Sequence, residues 1–190
     1  MQNLRTISDS TANPAPLGLA GFGMTTLLLN FHNAGFFELN MMIVAMGIFY
    51  GGAAQIVAGI MEWKKNNTFG TIAFTSYGMF WLTLVAIWMV PTNAKVLPVS
   101  SAGMAAYLGL WGLFTLGLFF GTLKATKALQ LVFASLVVLF ALLAIATATN
   151  SHLLHTIAGY EGILCGGAAL YTAMAEVLNE KYGRSVVPVG

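Results

Sequence analysis

Charge is the first thing this sequence is short of. Only 7% of its 190 residues are Asp, Glu, Lys or Arg, against roughly 25% in a soluble domain, so an ordinary water-soluble globule is excluded. Lys and Arg total 8 against 6 acidic residues and form no basic cluster, which excludes a nucleic-acid-binding surface. A lone cysteine, Cys165, sits inside an apolar run, so neither an internal disulfide nor a cysteine metal centre is available. The sole aspartate, Asp9, precedes every apolar run, and no HExxH, GxSxG or P-loop pattern occurs. No enzyme chemistry, cofactor or metal is therefore expected, and without a nucleotide site the chain is not by itself an ATP-driven pump.

What is abundant is apolar length. Hydrophobic residues make up 58% of the chain and the mean hydropathy is +0.81, which makes a bilayer the natural solvent. A membrane helix takes about 20 apolar residues, and lipid tolerates no unpaired peptide groups. Six largely apolar runs, at 17–31, 41–61, 71–90, 102–121, 129–149 and 153–178, alternate with the breaks HNAGFFELN, EWKKNNTFG, PTNAKVLPVSS, LKATK and NSH. These breaks carry the turn formers and charges that stop helices. Barrel strands would instead be segments of about 10 residues in strict alternation. The expected fold is an all-α integral membrane protein, a bundle of six transmembrane helices.

Orientation follows from the basic residues. Arg5, Lys64, Lys65, Lys124, Lys127, Lys181 and Arg184 fall on one side and only Lys95 on the other, so the positive-inside rule puts both termini in the cytoplasm. The expected organisation is a cytoplasmic N-terminal tail at 1–12, a transport domain at 13–179 and a cytoplasmic C-terminal tail at 180–190. The first helix reads as retained, because no convincing small-residue cleavage site follows it.

The chain also resembles itself. Phe22-Gly23-Met24 pairs with Tyr77-Gly78-Met79 at a shift of about 55 residues, and Gly51-Gly52-Ala53-Ala54 recurs as Gly166-Gly167-Ala168-Ala169. Hairpin repeats keep the same orientation, so three of them would surround an axis along the membrane normal and enclose a central pore. Chance recurrence of small residues at helix contacts is the competing reading. Helical spacing places Gly51, Gln55, Gly59 and Glu62 on one face of the second run, and Gly162, Gly166, Ala169, Ala173 and Glu176 on one face of the sixth. Those glycines suit close packing as well as pore lining, whereas Gln55, the only mid-span glutamine, is expensive in lipid and points to function.

Asn13-Pro14-Ala15-Pro16-Leu17-Gly18-Leu19, just before the first run, resembles the acetate uptake transporter family. The likeness continues through GFGMTTLLLN, AMGIFYGGAAQIVAG, NTFGTIAFTSYG, YLGLWGLFTL and EVLNE, nearly the whole chain. In physical terms Asn13 suits a helix N-cap and Pro14 the first helical position. The exposed amides of such a helix start also attract carboxylates. The resemblance implies a pathway within each protomer, a ring most often described as a hexamer, and a hydrophobic constriction from the first, third and fifth helices. Carried onto this chain, that constriction falls on Phe22, Tyr77 and Leu136.

A small carboxylate crossing such a path meets no mid-span Lys or Arg, so hydroxyls, amides and helix ends must serve it, or it must travel with a proton. Candidates along the path are Thr25, Thr26, Tyr50, Gln55 and Ala169. The threonines have a competing fate in bonding their own backbone, and Tyr50 in packing. Glu62 and Glu176, near helix ends, are candidates for proton coupling; pairing with Lys64, Lys65 or Lys181, or simple solvation, competes. His32, His152 and His155 group at the expected outer face, where they either sense acidity or are ordinary surface residues. The expected function is uptake of acetate, with succinate, across the cytoplasmic membrane with proton coupling. The alternative is a passive channel for acetate or for a small neutral solute such as urea or ammonia. Expected partners are these substrates, protons, lipid and further copies of the chain, and no nucleic acid.

Overall fold

A computed structural model describes residues 11–91 and 96–190. Arg5, Asp9, Lys95 and the N-terminal tail up to residue 10 lie outside the described residues. Six long helices follow in order: α1 (Ala15–Asn33), α2 (Met41–Lys64), α3 (Thr68–Met89), α4 (Ser101–Thr122), α5 (Lys127–Thr149) and α6 (His152–Tyr182). No β-strand forms among the described residues. Five of these helices are long and apolar enough to cross a membrane. The exception is α1, whose last turns carry Asn30, His32 and Asn33.

The polar residues of the sequence breaks cap these helices. Asn40, Asn67, Ser100, Thr126 and Ser151 each accept a hydrogen bond from an amide in the first turn of α2, α3, α4, α5 and α6 respectively, satisfying donors that have no partner within the helix. Asn150 and Gly183 end α5 and α6 in the left-handed region, with φ of 50° and 64°.

Three local features refine the sequence reading. At the start of α1 it is Pro14, not Asn13, that occupies the cap position. Asn13 lies one residue earlier, accepts from the Ala15 amide at 3.0 Å and donates to Glu176 at 3.3 Å. Pro14 and Pro16 have no amide hydrogen to leave orphaned in this first turn. Second, α2 is not a uniform α-helix: Phe49–Ala54 winds as a π-helix between two α-helical stretches. Third, α6 extends to Tyr182, and the segment after it is docked. Asn179 bonds the backbone of Val186 and Val187, Tyr171 donates to Pro188 at 2.6 Å, and Val189 accepts from the Ala128 amide at 2.9 Å.

Neighbouring helices run antiparallel and approach closely at glycines. A Cβ on Gly23 of α1 would lie 2.8 Å from the Gly166 carbonyl oxygen of α6, and one on Gly78 of α3 would lie 2.8 Å from the Gly52 carbonyl oxygen of α2. Gly51 and Gly59 meet α3 just as tightly, through Trp81 and Thr75. In lipid, where apolar side chains gain little by leaving one surface for another, such backbone contact is the main source of helix association. The glycines of the α2 stripe are packing residues.

Candidate functional site

One face each of α1, α3 and α5, stepping by three or four residues, lines three successive cavities. At the end holding Ala15, Leu129 and Glu176 there is a cavity of about 70 Å³; Leu19, Ala73, Phe74 and Phe133 lead from it into a chamber of about 20 Å³ closed by Phe22, Tyr77 and Leu136; beyond these, Leu29, Phe80 and Leu143 open a cavity of about 210 Å³. The chamber holds roughly one water, since about 10–15 Å³ is the minimum for one. It is the narrowest point of the three.

Phe22, Tyr77 and Leu136, from three separate helices, are each buried. The rings of Phe22 and Tyr77 lie 5.9 Å apart and tilted. Tyr77 is held from behind: its hydroxyl donates to Thr115 Oγ1 at 2.9 Å, and Thr115 donates in turn to the Trp111 carbonyl at 2.7 Å. Trp111, Phe114 and Phe133 surround the ring at 6.0–6.3 Å. The chamber accordingly meets the Tyr77 ring, while its hydroxyl is engaged elsewhere.

Gln55 belongs to the chamber wall, which presents only apolar surface to the chamber, so its amide lies behind that wall. It is wholly buried, and neither its amide nitrogen nor its oxygen has a hydrogen-bond partner. An unpaired buried amide costs about 1–3 kcal/mol, so its retention beside the chamber makes Gln55 a functional candidate. It follows directly on the π-helical turn, an element enriched at functional sites because it redirects the side chains beyond it.

The other path candidates separate. Thr25 is wholly buried and donates to the Met46 carbonyl of α2 at 3.5 Å, while Thr26 is buried with its hydroxyl unpartnered. Tyr50 is part-buried against α1, and Ala169 is sealed where α6 crosses Gly23. None of these four lines the chamber. In the motif, Ala15 and Leu19 line the terminal-end cavity and Gly18 lies against the Phe74 ring. Leu17 is exposed.

Glu62 and Glu176 face the terminal-end cavity together. Their hydrogen bonds come from asparagines: Asn67 donates to Glu62 at 2.7 Å and Asn13 to Glu176 at 3.3 Å. The second Glu62 oxygen is buried without a partner. Sequence reading had missed Asn67 and Thr115 as supports. Asn67 was legible only as a turn former, and nothing local distinguishes Thr115 from other threonines. Asn30 was also missed, although an asparagine in an apolar run is itself a signal. It packs into the space left by Gly162 and donates to the Thr26 carbonyl at 2.9 Å.

Apolar helices arranged around a narrow, greasy constriction, with a cavity on either side that carries a few polar side chains, define a membrane-embedded bundle of the transporter and channel class. The chain belongs to the GPR1/FUN34/yaaH family, which residues 2–189 match. It is 61% identical over 180 residues to the succinate-acetate/proton symporter SatP of Escherichia coli (strain K12), covering 94% of this chain and 95% of that one. A solved structure of the bacterial acetate channel SatP superposes with a TM-score of 0.93 at 58% identity, covering 95% of this chain and 100% of that one. A more distant relative, 39% identical over 173 residues, is ammonia transport outward protein 2 of Saccharomyces cerevisiae; the match covers 87% of this chain and 61% of that protein.

Proposed function

We propose that this protein carries small carboxylates, chiefly acetate and also succinate, across the cytoplasmic membrane through a path in each protomer, with Phe22, Tyr77 and Leu136 as its selective throat. The observation that carries this reading is the chamber of about 20 Å³ between two larger cavities on the shared faces of α1, α3 and α5. Apolar walls disfavour hydrated ions, and rotation of the Gln55 side chain in the chamber wall would bring its unused amide donor to a carboxylate oxygen. The names of the bacterial relatives support acetate and succinate as cargo.

Within this reading the bundle is three parallel hairpin repeats around the path. The matched glycine contacts, Gly23 on Gly166 and Gly78 on Gly52, support it. Both termini face the cytoplasm: Lys64, Lys65, Lys124, Lys127, Lys181 and Arg184, the Lys and Arg among the described residues, lie at or just beyond the ends of α2, α4 and α6 and at the start of α5, which share one end of the bundle. The protomers form a ring in the membrane, a hexamer on the family resemblance.

Proton coupling is assigned to Glu62 and Glu176, which share the terminal-end cavity. The experiment is labelled-acetate uptake into proteoliposomes, with and without an inward proton gradient at zero membrane potential. Concentrative uptake with acetate-induced proton influx makes the protein a symporter. Saturable flux that only follows the acetate gradient makes it a passive channel, the second reading, which the channel described for the solved relative favours. Absence of protein-dependent flux, after subtracting free diffusion of acetic acid, ends the transport reading.

A further inference from the structure

A cavity of about 420 Å³ lies off the path, in a groove between α5 and α6. Leu131 of α5 and Ile163, Leu164, Gly167 and Tyr171 of α6 line it, and none of these five lines the three cavities of the path. Leu131, Leu164 and Tyr171 are about half exposed, so the groove opens sideways, onto the surface that faces the bilayer. Its floor is hollow at Gly167, where an added Cβ would meet nothing within 4 Å. From Ile163 to Tyr171, α6 rises about 12 Å, close to the roughly 15 Å of hydrocarbon in one leaflet. The groove has the length and the apolar character of one lipid chain.

Charge lies at one end of it. Ala128 and Tyr171 line that end, with Lys127 beside Ala128 and Lys124 one turn earlier in the chain. Residues 188–190 cross it: the Pro188 carbonyl accepts from the Tyr171 hydroxyl at 2.6 Å, Val189 from the Ala128 amide at 2.9 Å and Gly190 from the Lys127 amide at 3.4 Å. Thr126 Oγ1 takes the Leu129 amide at 3.3 Å. The first amides of α5 are thereby used, so the helix start has none to give an anion, and the lysine side chains remain. Both lysines are exposed, Lys127 donating to Gln130 Oε1 at 3.3 Å.

The same charge discriminates between occupants. Lys64, Lys124, Lys127, Lys181 and Arg184 are exposed at this end of the bundle, and Glu180 is the exposed acid there among the described residues. Glu62 and Glu176 face the inner cavity instead. A second copy of the chain, parallel in the membrane, would bring a like-charged rim against this one, whereas an anionic headgroup neutralises it. Basic side chains between helices at the cytoplasmic surface are known collectors of anionic lipid.

We propose that this groove binds one anionic phospholipid, with an acyl chain along Leu131, Leu164 and Gly167 and the phosphate held by Lys124 and Lys127. The lipid packs the seam between α5 and α6 from outside, on faces that the transport path does not use. Naming its leaflet as the cytoplasmic one, and only that, rests on the orientation proposed above.

Two measurements test it. Native mass spectrometry of delipidated protein in a neutral detergent reads the headgroup. Phosphatidylglycerol is expected to bind on the order of tenfold more tightly than phosphatidylcholine of the same chains, and Lys124→Gln with Lys127→Gln to bring the two level. Gly167→Leu fills the groove with an apolar side chain and is expected to lose the tight phosphatidylglycerol adduct. Equal wild-type affinity for the two lipids, a preference that survives both lysine replacements, or a tight adduct that survives Gly167→Leu overturns the site. The second measurement locates the chain without relying on those variants. Leu164→benzoylphenylalanine, in vesicles containing phosphatidylglycerol, is expected to cross-link lipid on illumination. Cross-linking to a second copy of the chain in place of lipid overturns the proposal and makes the groove a contact between protomers. Neither readout uses acetate, so loss of the lipid site leaves the transport reading standing, and loss of transport leaves the site.

Discussion

The Tyr77 hydroxyl, on α3, donates to Thr115 Oγ1 of α4 at 2.9 Å, and this bond orients Tyr77 in the proposed throat. Tyrosine could present either a ring or a hydroxyl to the path; tied from behind, it presents the ring. Thr115→Val removes the acceptor but keeps the shape. The buried hydroxyl is then left unpaired, at a cost of about 1–3 kcal/mol. Lower thermal stability and a weaker preference for acetate over lactate are expected, read by melting of the purified protein and competitive uptake. Unaltered selectivity would mean that Tyr77 keeps its orientation without Thr115.

Leu136 supplies the aliphatic side of the chamber. Leu136→Ala enlarges a space that now holds about one water, so lactate uptake should rise relative to acetate. A buried Leu→Ala change also costs about 2–5 kcal/mol, so the readout is the uptake ratio normalised to folded protein. A constant ratio would remove Leu136 from the throat.

Gln55 separates function from stability. Its amide has no partner within the protein, so Gln55→Leu deletes no hydrogen bond and removes a buried polar group. The melting temperature should hold or rise while acetate uptake falls at least severalfold. A drop in both would mean that the amide serves the fold.

Carboxylate neutralisation tests the proposed coupling. Glu62→Gln combined with Glu176→Gln should abolish acetate-induced proton influx while downhill acetate flux continues. Persistence of coupled proton influx would move the proton path elsewhere. The Asn67 bond to Glu62 Oε2 can be kept by the glutamine oxygen, so local structure is expected to survive.

Glycine contacts give a paired stability test. A Cβ at Gly23 meets the Gly166 carbonyl oxygen at 2.8 Å, whereas one at Gly167 meets nothing within 4 Å. Gly23→Ala should destabilise by about 1–3 kcal/mol or more through overpacking, and Gly167→Ala should stay within about 0.5 kcal/mol. Equal tolerance of both would contradict the close α1 to α6 approach.

Much of the fold is local chemistry and was legible. Apolar run length implied six helices, and Asn, Ser and Thr in the breaks cap five of them. The π-turn of α2 was not legible, because FYGGAA has the composition of any small-residue membrane segment. The Asn13 shift by one position and the docking of residues 183–190 were equally hidden. Each depends on a partner far along the chain, Glu176 in one case and Ala128 and Tyr171 in the other.

For the site the division is similar. Phe22 and Tyr77 were matched by the similarity of the first and third runs, and Gln55 stood out as a mid-span amide, because both signals lie in the order of residues along the chain. That Ala169 seals the α1 to α6 crossing and that Gln55 lies unpaired in the wall of a chamber could not be read from spacing, since both depend on which helix packs against that stripe. The sequence by itself determined a lipid-soluble helical bundle, its caps and its side-chain inventory, because apolar length and local donors decide those. Only the tertiary structure decided which polar groups remain unpaired and which apolar ones enclose space, because those depend on contacts between helices distant in the chain.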